Sequence, residues 1–197
     1  MLQKVFLGHI PFVKFFLKRE LIYVPVIGLA WWALDFPFMQ RKGGFKSGKN
    51  DLTATRKACE RFKLIPTSVM NFLEGTRFTE VKRDSQRSPY RHLLKPRVGG
   101  LSIALATMGE DFDCLLDVTI VYPRGNPSFR ELLNGAVREV VVRVRQVPIP
   151  DELLGRDYEG DSGYRARMQS WVGDMWSFKD RQIAQLLDQT EARDAAP

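Results

Sequence analysis

Residues 68–77, SVMNFLEGTR, run from a short apolar strand into a turn that carries an acid, a glycine, a hydroxyl and a guanidinium. Pro66 ends the preceding connection, and Ser68–Leu73 has the short apolar pattern of a buried strand. Gly75, at the C-terminal end of that strand, lets backbone N–H groups approach a ligand closely. Thr76 adds a hydroxyl donor, and Arg77 adds a planar fork suited to bidentate phosphate binding. Glu74 is placed to hold that guanidinium or a substrate hydroxyl. Ligands of open α/β sheets sit outside the carboxyl ends of the strands, where this quartet would lie. Taken alone, the four residues also fit a surface turn with a Glu–Arg pair.

A second tip lies upstream, where Phe36–Gln40 reads as a short strand running into Arg41. Two strands that each end in arginine would hold one phosphate from both sides, whereas Arg41 alone reads as a surface charge. Around these tips the chain alternates strand and helix. Phe12, Phe15, Phe16 and Leu17, with Lys14 and Lys18 four apart, predict a helix over 12–20. Lys42–Lys49 (KGGFKSGK) is a loop, and Asn50 or Asp51 caps a helix that continues to Phe62. Residues 78–97 are polar and basic and read as a long excursion outside the core. Gly99–Met108 is predicted helix with Gly109 at its end, and Asp117–Tyr122 is a strand stopped by Pro123. Glu139–Val147 alternates Val140, Val142 and Val144 against Val141, Arg143 and Arg145, the pattern of a half-exposed strand at a sheet edge. A helical tail with Trp171, Met175, Trp176, Phe178, Ile183, Leu186 and Leu187 follows. The expected fold class is α/β, a mixed sheet covered by helices. One domain is expected over 1–150, with a helical extension over 151–197 packed on it.

The 197 residues suit one domain of ordinary size, and 44% hydrophobic with 27% charged residues excludes a disordered or polytopic membrane chain. Charge is unevenly placed. Residues 1–100 carry 19 basic and 7 acidic side chains, whereas residues 101–197 carry 11 and 16. A basic first half points to a polyanionic partner: nucleic acid, an anionic membrane surface or a phosphorylated substrate. Nucleic acid is not expected, because no recognition helix and no stacking aromatics beside basic strands are found. The longest apolar run, Leu21–Leu34, has 14 residues, too few to cross a hydrocarbon core of about 30 Å. Trp31 and Trp32 within it leave two readings open, docking at a membrane surface and burial in the core. Cys59 and Cys114 are expected as two buried thiols rather than a disulfide.

The residues also carry a family likeness. NFLEGTRFTE at 71–80, LLKPRVGGL at 93–101 and DVTIVYP at 117–123 closely resemble the glycerophospholipid acyltransferases, in the branch of the 1-acylglycerol-3-phosphate and lysocardiolipin acyltransferases. FFLKRELIYVPVIGLAWWALDFPFMQR at 15–41 is similar to the segment leading to that family's second motif, so the likeness covers most of the chain in order. It implies a glycerolphosphate acyltransferase-like fold, with the second to fourth motifs inside 1–150. It also implies transfer of a fatty acyl group from acyl-CoA or acyl carrier protein to a lysophospholipid such as 1-acylglycerol 3-phosphate. Arg41, Glu74, Gly75, Thr76 and Arg77 are thereby implied in binding the acceptor's glycerol phosphate, with Lys18 where the family often carries a basic residue. The fourth motif, Val118–Pro123, is implied in shaping the site and the acyl pocket. No metal and no cofactor beyond the acyl thioester co-substrate is implied. The implied partners are the lysophospholipid, the thioester donor and a membrane surface, with peripheral attachment on the cytoplasmic face of the cell membrane.

The family's chemistry rests on a histidine and an aspartate spaced HxxxxD, the histidine taking the proton of the acceptor hydroxyl and the aspartate orienting it. Neither histidine here fits: Lys14 stands five residues after His9, and Arg97 five after His92. The likeness expects that pair upstream of residue 1, so the chain as written is expected to start inside the domain, without its N-terminal portion, and to be inactive. The alternative is a catalytically dead homologue that binds lysophospholipid or a protein partner.

Overall fold

Val13–Phe15 (β1) and Leu17–Lys18 (β2) are strands in the computed structural model, where the spacing predicts a helix over 12–20. The model describes residues 5–11, 13–15, 17–18, 38–39, 66, 68–155 and 161–195. β1 runs parallel to Ser68–Met70 (β4), pairing Val13 with Ser68 and Phe15 with Met70. β2 runs parallel to Phe38–Met39 (β3), pairing Leu17 with Phe38 and Lys18 with Met39. The difference has a physical reason. Apolar and charged residues over 12–18 satisfy either period, and the choice falls to partner strands far along the chain, which local spacing does not reveal. The short strands expected at Phe36–Gln40 and Ser68–Leu73 are present in shortened form. The loop at Lys42–Lys49, the helix to Phe62, the run Leu21–Leu34 and Cys59 lie outside the described residues.

The chain divides into two compact units. The first, within residues 1–73, 99–111 and 153–162, holds β1–β4 and the helix Gly99–Met108 (α2). α2 is apolar almost all round, as a helix enclosed by protein is, and Ser102, Ala104, Leu105 and Met108 are buried. Ser102 offsets its burial by donating to Gly99 O at 2.8 Å. Gly109 follows α2 as expected and has a packing role: a Cβ there would lie 2.8 Å from Leu154 Cδ2.

The second unit, within residues 74–98, 112–152 and 163–197, is built on an antiparallel pair and a long helix. Glu80–Ser85 (α1) precedes α2 in the chain, and Leu115–Val121 (β5), Phe129–Leu133 (α3), Val141–Val147 (β6) and Ser162–Asp194 (α4) follow it. β5 pairs with β6 from Leu115–Val147 to Val121–Val141. The register places Asp117 opposite Arg145 and Thr119 opposite Arg143, so the face bearing the arginines is shared with polar partners from β5. That face meets α4, where Phe178 stacks under the Arg145 guanidinium at 3.9 Å. Val144, on the opposite face, is 44% exposed.

α4 buries Tyr164, Met168, Val172, Met175, Trp176, Lys179 and Leu186, a stripe with helical spacing. Against it lies the end of the stretch 78–97, from Arg91, although the sequence places that whole stretch outside the core; α1 at its start buries no residue. This is a correction. Leu93, Leu94 and Val98 are buried, Trp176 Nε1 donates to Leu94 O at 3.0 Å, and the Asp180 carboxylate accepts from the N–H groups of Arg91 and His92. Its anchors are backbone atoms and two leucines, so a polar composition conceals them.

Among the described residues the strands form three separate pairs, two parallel and one antiparallel, and with the helices they make an α/β chain. No described helix is long and apolar enough to cross a membrane. Cys114 is a free, half-buried thiol.

Candidate functional site

Glu74–Arg77 opens the second unit, and each residue of the quartet is held by a neighbour from 79–98. Glu74 is half-buried, and its carboxylate accepts the Leu94 N–H at 3.4 Å, instead of holding Arg77 as the sequence allowed. Burial pushes its carboxyl above the ordinary value of 4.5; the Leu94 N–H and the Lys179 charge pull it back only in part. An acid whose folded pKa is raised holds its proton more firmly when folded. Its favourable contribution is complete below the unfolded value near 4.5 and is lost as pH rises through the folded value. Glu74→Gln keeps an acceptor for Leu94 and removes that dependence. The stability of the variant relative to the parent is therefore expected to rise between pH 4 and pH 7, read from urea melts at both pH values. A difference that stays flat or falls over that window removes this account of Glu74.

Gly75 adopts φ +66°, in the left-handed region where other L-residues are disfavoured by about 1–2 kcal/mol. Its open Cα side is covered by Arg97, whose Cδ and Nη1 lie 3.5 and 3.6 Å from where a Cβ would stand. Thr76 and Arg77 are exposed. The Lys82 ammonium donates to Thr76 Oγ1 at 2.9 Å and to Arg77 O at 3.1 Å. Lys82 reaches back because α1 starts where it does. Thr79 is the N-cap, with an extended backbone at φ −148° and ψ 149° and a side chain accepting from Lys82 N at 3.3 Å. The guanidinium groups of Arg77 and Arg97 have no ion-pair or hydrogen-bond partner among the described residues. A loop with a left-handed glycine, a hydroxyl and two unpaired guanidinium groups suits an oxyanion such as a phosphate monoester.

The structure thus brings together Glu74, Gly75, Thr76 and Arg77 and adds Lys82 and Arg97, which the sequence reading did not assign. The signals for both were present: a Thr N-cap three residues before Lys82, and Arg97 just ahead of the Gly99–Gly100 pair that starts α2. Lys18 lies at the end of β2, its backbone beside Met39 on the strand that leads towards Arg41. Arg41 itself lies outside the described residues. Of the two histidines, His9 is exposed, and His92 sits in the segment packed on α4 with its Nε2 buried and unpartnered.

Comparison with known proteins follows from these residues. Over 198 aligned residues the chain is 27% identical to lysocardiolipin acyltransferase 1 of Danio rerio, covering 93% of this chain and 47% of that protein. It is 31% identical over 150 residues to 1-acyl-sn-glycerol-3-phosphate acyltransferase gamma of Mus musculus, covering 70% of this chain and 38% of that protein. Against 1-acyl-sn-glycerol-3-phosphate acyltransferase delta of Homo sapiens the identity is 28% over 149 residues, with the same 70% and 38% coverage. The chain spans less than half the length of these curated relatives. No family model matches it, and no solved structure matches it.

Proposed function

We propose that this chain, which belongs to the glycerophospholipid acyltransferase family on the branch of the 1-acylglycerol-3-phosphate and lysocardiolipin acyltransferases, supplies the acceptor-binding part of an acyl transfer site. The observation that carries the reading is the Glu-Gly-Thr-Arg loop, fixed by Lys82 and flanked by Arg97, with the Arg77 and Arg97 guanidinium groups unpaired among the described residues. The acceptor is a lysophospholipid such as 1-acylglycerol 3-phosphate, its phosphate held by Arg77 with Thr76 and Gly75. The donor is an acyl thioester, of CoA or of acyl carrier protein. The chain works as a peripheral protein on the cytoplasmic face of a membrane. The basic first half supports that placement through its attraction to anionic lipid.

Acyl transfer needs a base that removes the acceptor hydroxyl's proton while its oxygen attacks the thioester carbonyl and the carbon–sulfur bond breaks. The family's HxxxxD pair is not in these 197 residues. The expected outcome is that purified 1–197 binds lysophosphatidic acid but transfers no label from a radiolabelled acyl thioester. Turnover well above a boiled control would overturn the assignment of the missing base. A second reading is a homologue that binds lysophospholipid or a partner without catalysis. An in-frame HxxxxD in the coding DNA ahead of Met1 separates the two readings.

A further inference from the structure

Lys82 lies in the first turn of α1, yet its side chain is spent on the loop five and six residues before it, at Arg77 O and Thr76 Oγ1. An ammonium group only donates, so the Thr76 oxygen must be the acceptor of that bond. A hydroxyl carries one proton, which consequently points away from Lys82, and no described residue accepts it. The second bond ties down the carbonyl of Arg77 and with it the backbone from which that guanidinium projects. Both bonds are exposed, where water competes for the same groups, so they add little to folding stability. Their consequence lies in what they aim.

We infer that Lys82 is a positioning residue: it turns the Thr76 hydroxyl proton outward to donate to a phosphate oxygen of the lysophospholipid and fixes the backbone at Arg77. The inference rests on the acceptor-binding reading above. It gives the hydroxyl a set polarity before the ligand arrives, so no donor has to be reoriented on binding.

A double-mutant cycle in the full chain tests it, with lysophosphatidic acid as the probe. Lys82→Met and Thr76→Val are each expected to weaken binding about tenfold, and the double variant also by about tenfold, because the second change removes what the first has already disabled. Lys82→Arg, which keeps donors at that place, retains most of the affinity, and it carries the test if Lys82→Met does not fold. Lys95→Met removes an equal charge from an exposed position and is expected to change binding by less than about twofold. Losses that multiply to about a hundredfold in the double variant overturn the inference, as does Lys82→Met binding no more weakly than Lys95→Met. If the parent binds but the losses multiply, the positioning role alone fails. If the parent chain binds no lysophosphatidic acid, the acceptor-binding reading fails and takes this inference with it.

Discussion

Asp117→Ala is expected to lower the unfolding free energy by about 3–5 kcal/mol, the cost of breaking a buried ion pair by removing one partner. Asp117 sits on β5 with its side chain 7% exposed, and two cations converge on it. Lys179 from α4 reaches Oδ1 at 2.6 Å and Arg145 from β6 reaches Oδ2 at 3.0 Å. Lys179 also donates to Val118 O at 2.8 Å, and its side chain is only 11% exposed. Without the acid, that ammonium is left in a dry place between α4 and β5, beside a second positive charge. A loss of this size is a large part of the 5–15 kcal/mol that holds a typical domain. Such a buried network is weakly screened, so the loss persists at high salt. Urea denaturation followed by tryptophan fluorescence measures it. Asp117→Leu combined with Lys179→Met removes the acid and its more buried partner, leaving only Arg145, whose side chain is 35% exposed to water, and is expected to recover most of the stability, since the penalty comes from the unpaired buried ammonium. A loss below about 1 kcal/mol for Asp117→Ala would show that Lys179 finds water or another partner easily, contrary to its burial here.

The contrast between legible and illegible parts of this chain follows from where each element finds its partners. Gly99–Met108 was readable because glycines bound it and its apolar run is continuous; its fate is written locally. β5 was readable for a similar reason, a branched apolar run ending at Pro123, although it starts two residues earlier than expected. β1 was not, because Val13–Phe15 is a strand only by virtue of Ser68–Met70. The packing of Arg91–Leu94 is hidden in the sequence because its ties are backbone groups held by Trp176 and Asp180, more than eighty residues further on. In the site, Glu74, Gly75, Thr76 and Arg77 announce themselves by chemistry at a strand end. Lys82 and Arg97 carry only weak local signals, a Thr N-cap and a following glycine pair, and these acquire meaning only when the chain folds back on the loop. The partnership of Arg41 with Arg77 lies outside the described residues.

Arg77→Ala is expected to have the larger effect on ligand binding. The Arg77 guanidinium is exposed and has no partner among the described residues, so its removal leaves no buried charge and little change in folding stability. What it removes is a bidentate, charge-assisted grip on phosphate, worth about 1.5–3 kcal/mol, or roughly ten- to a hundredfold in affinity. Arg124 provides the comparison, an exposed arginine whose nearest acid is Asp194 at 3.9 Å, a loose surface pair. The measurement that decides is calorimetric titration of lysophosphatidic acid and of the matching monoacylglycerol, which lacks the phosphate, into the parent chain, Arg77→Ala and Arg124→Ala. The account predicts that the parent and Arg124→Ala bind lysophosphatidic acid alike, that Arg77→Ala binds it at least about tenfold more weakly, and that the monoacylglycerol does not distinguish the three. Equal affinities of Arg77→Ala and Arg124→Ala for lysophosphatidic acid would contradict it.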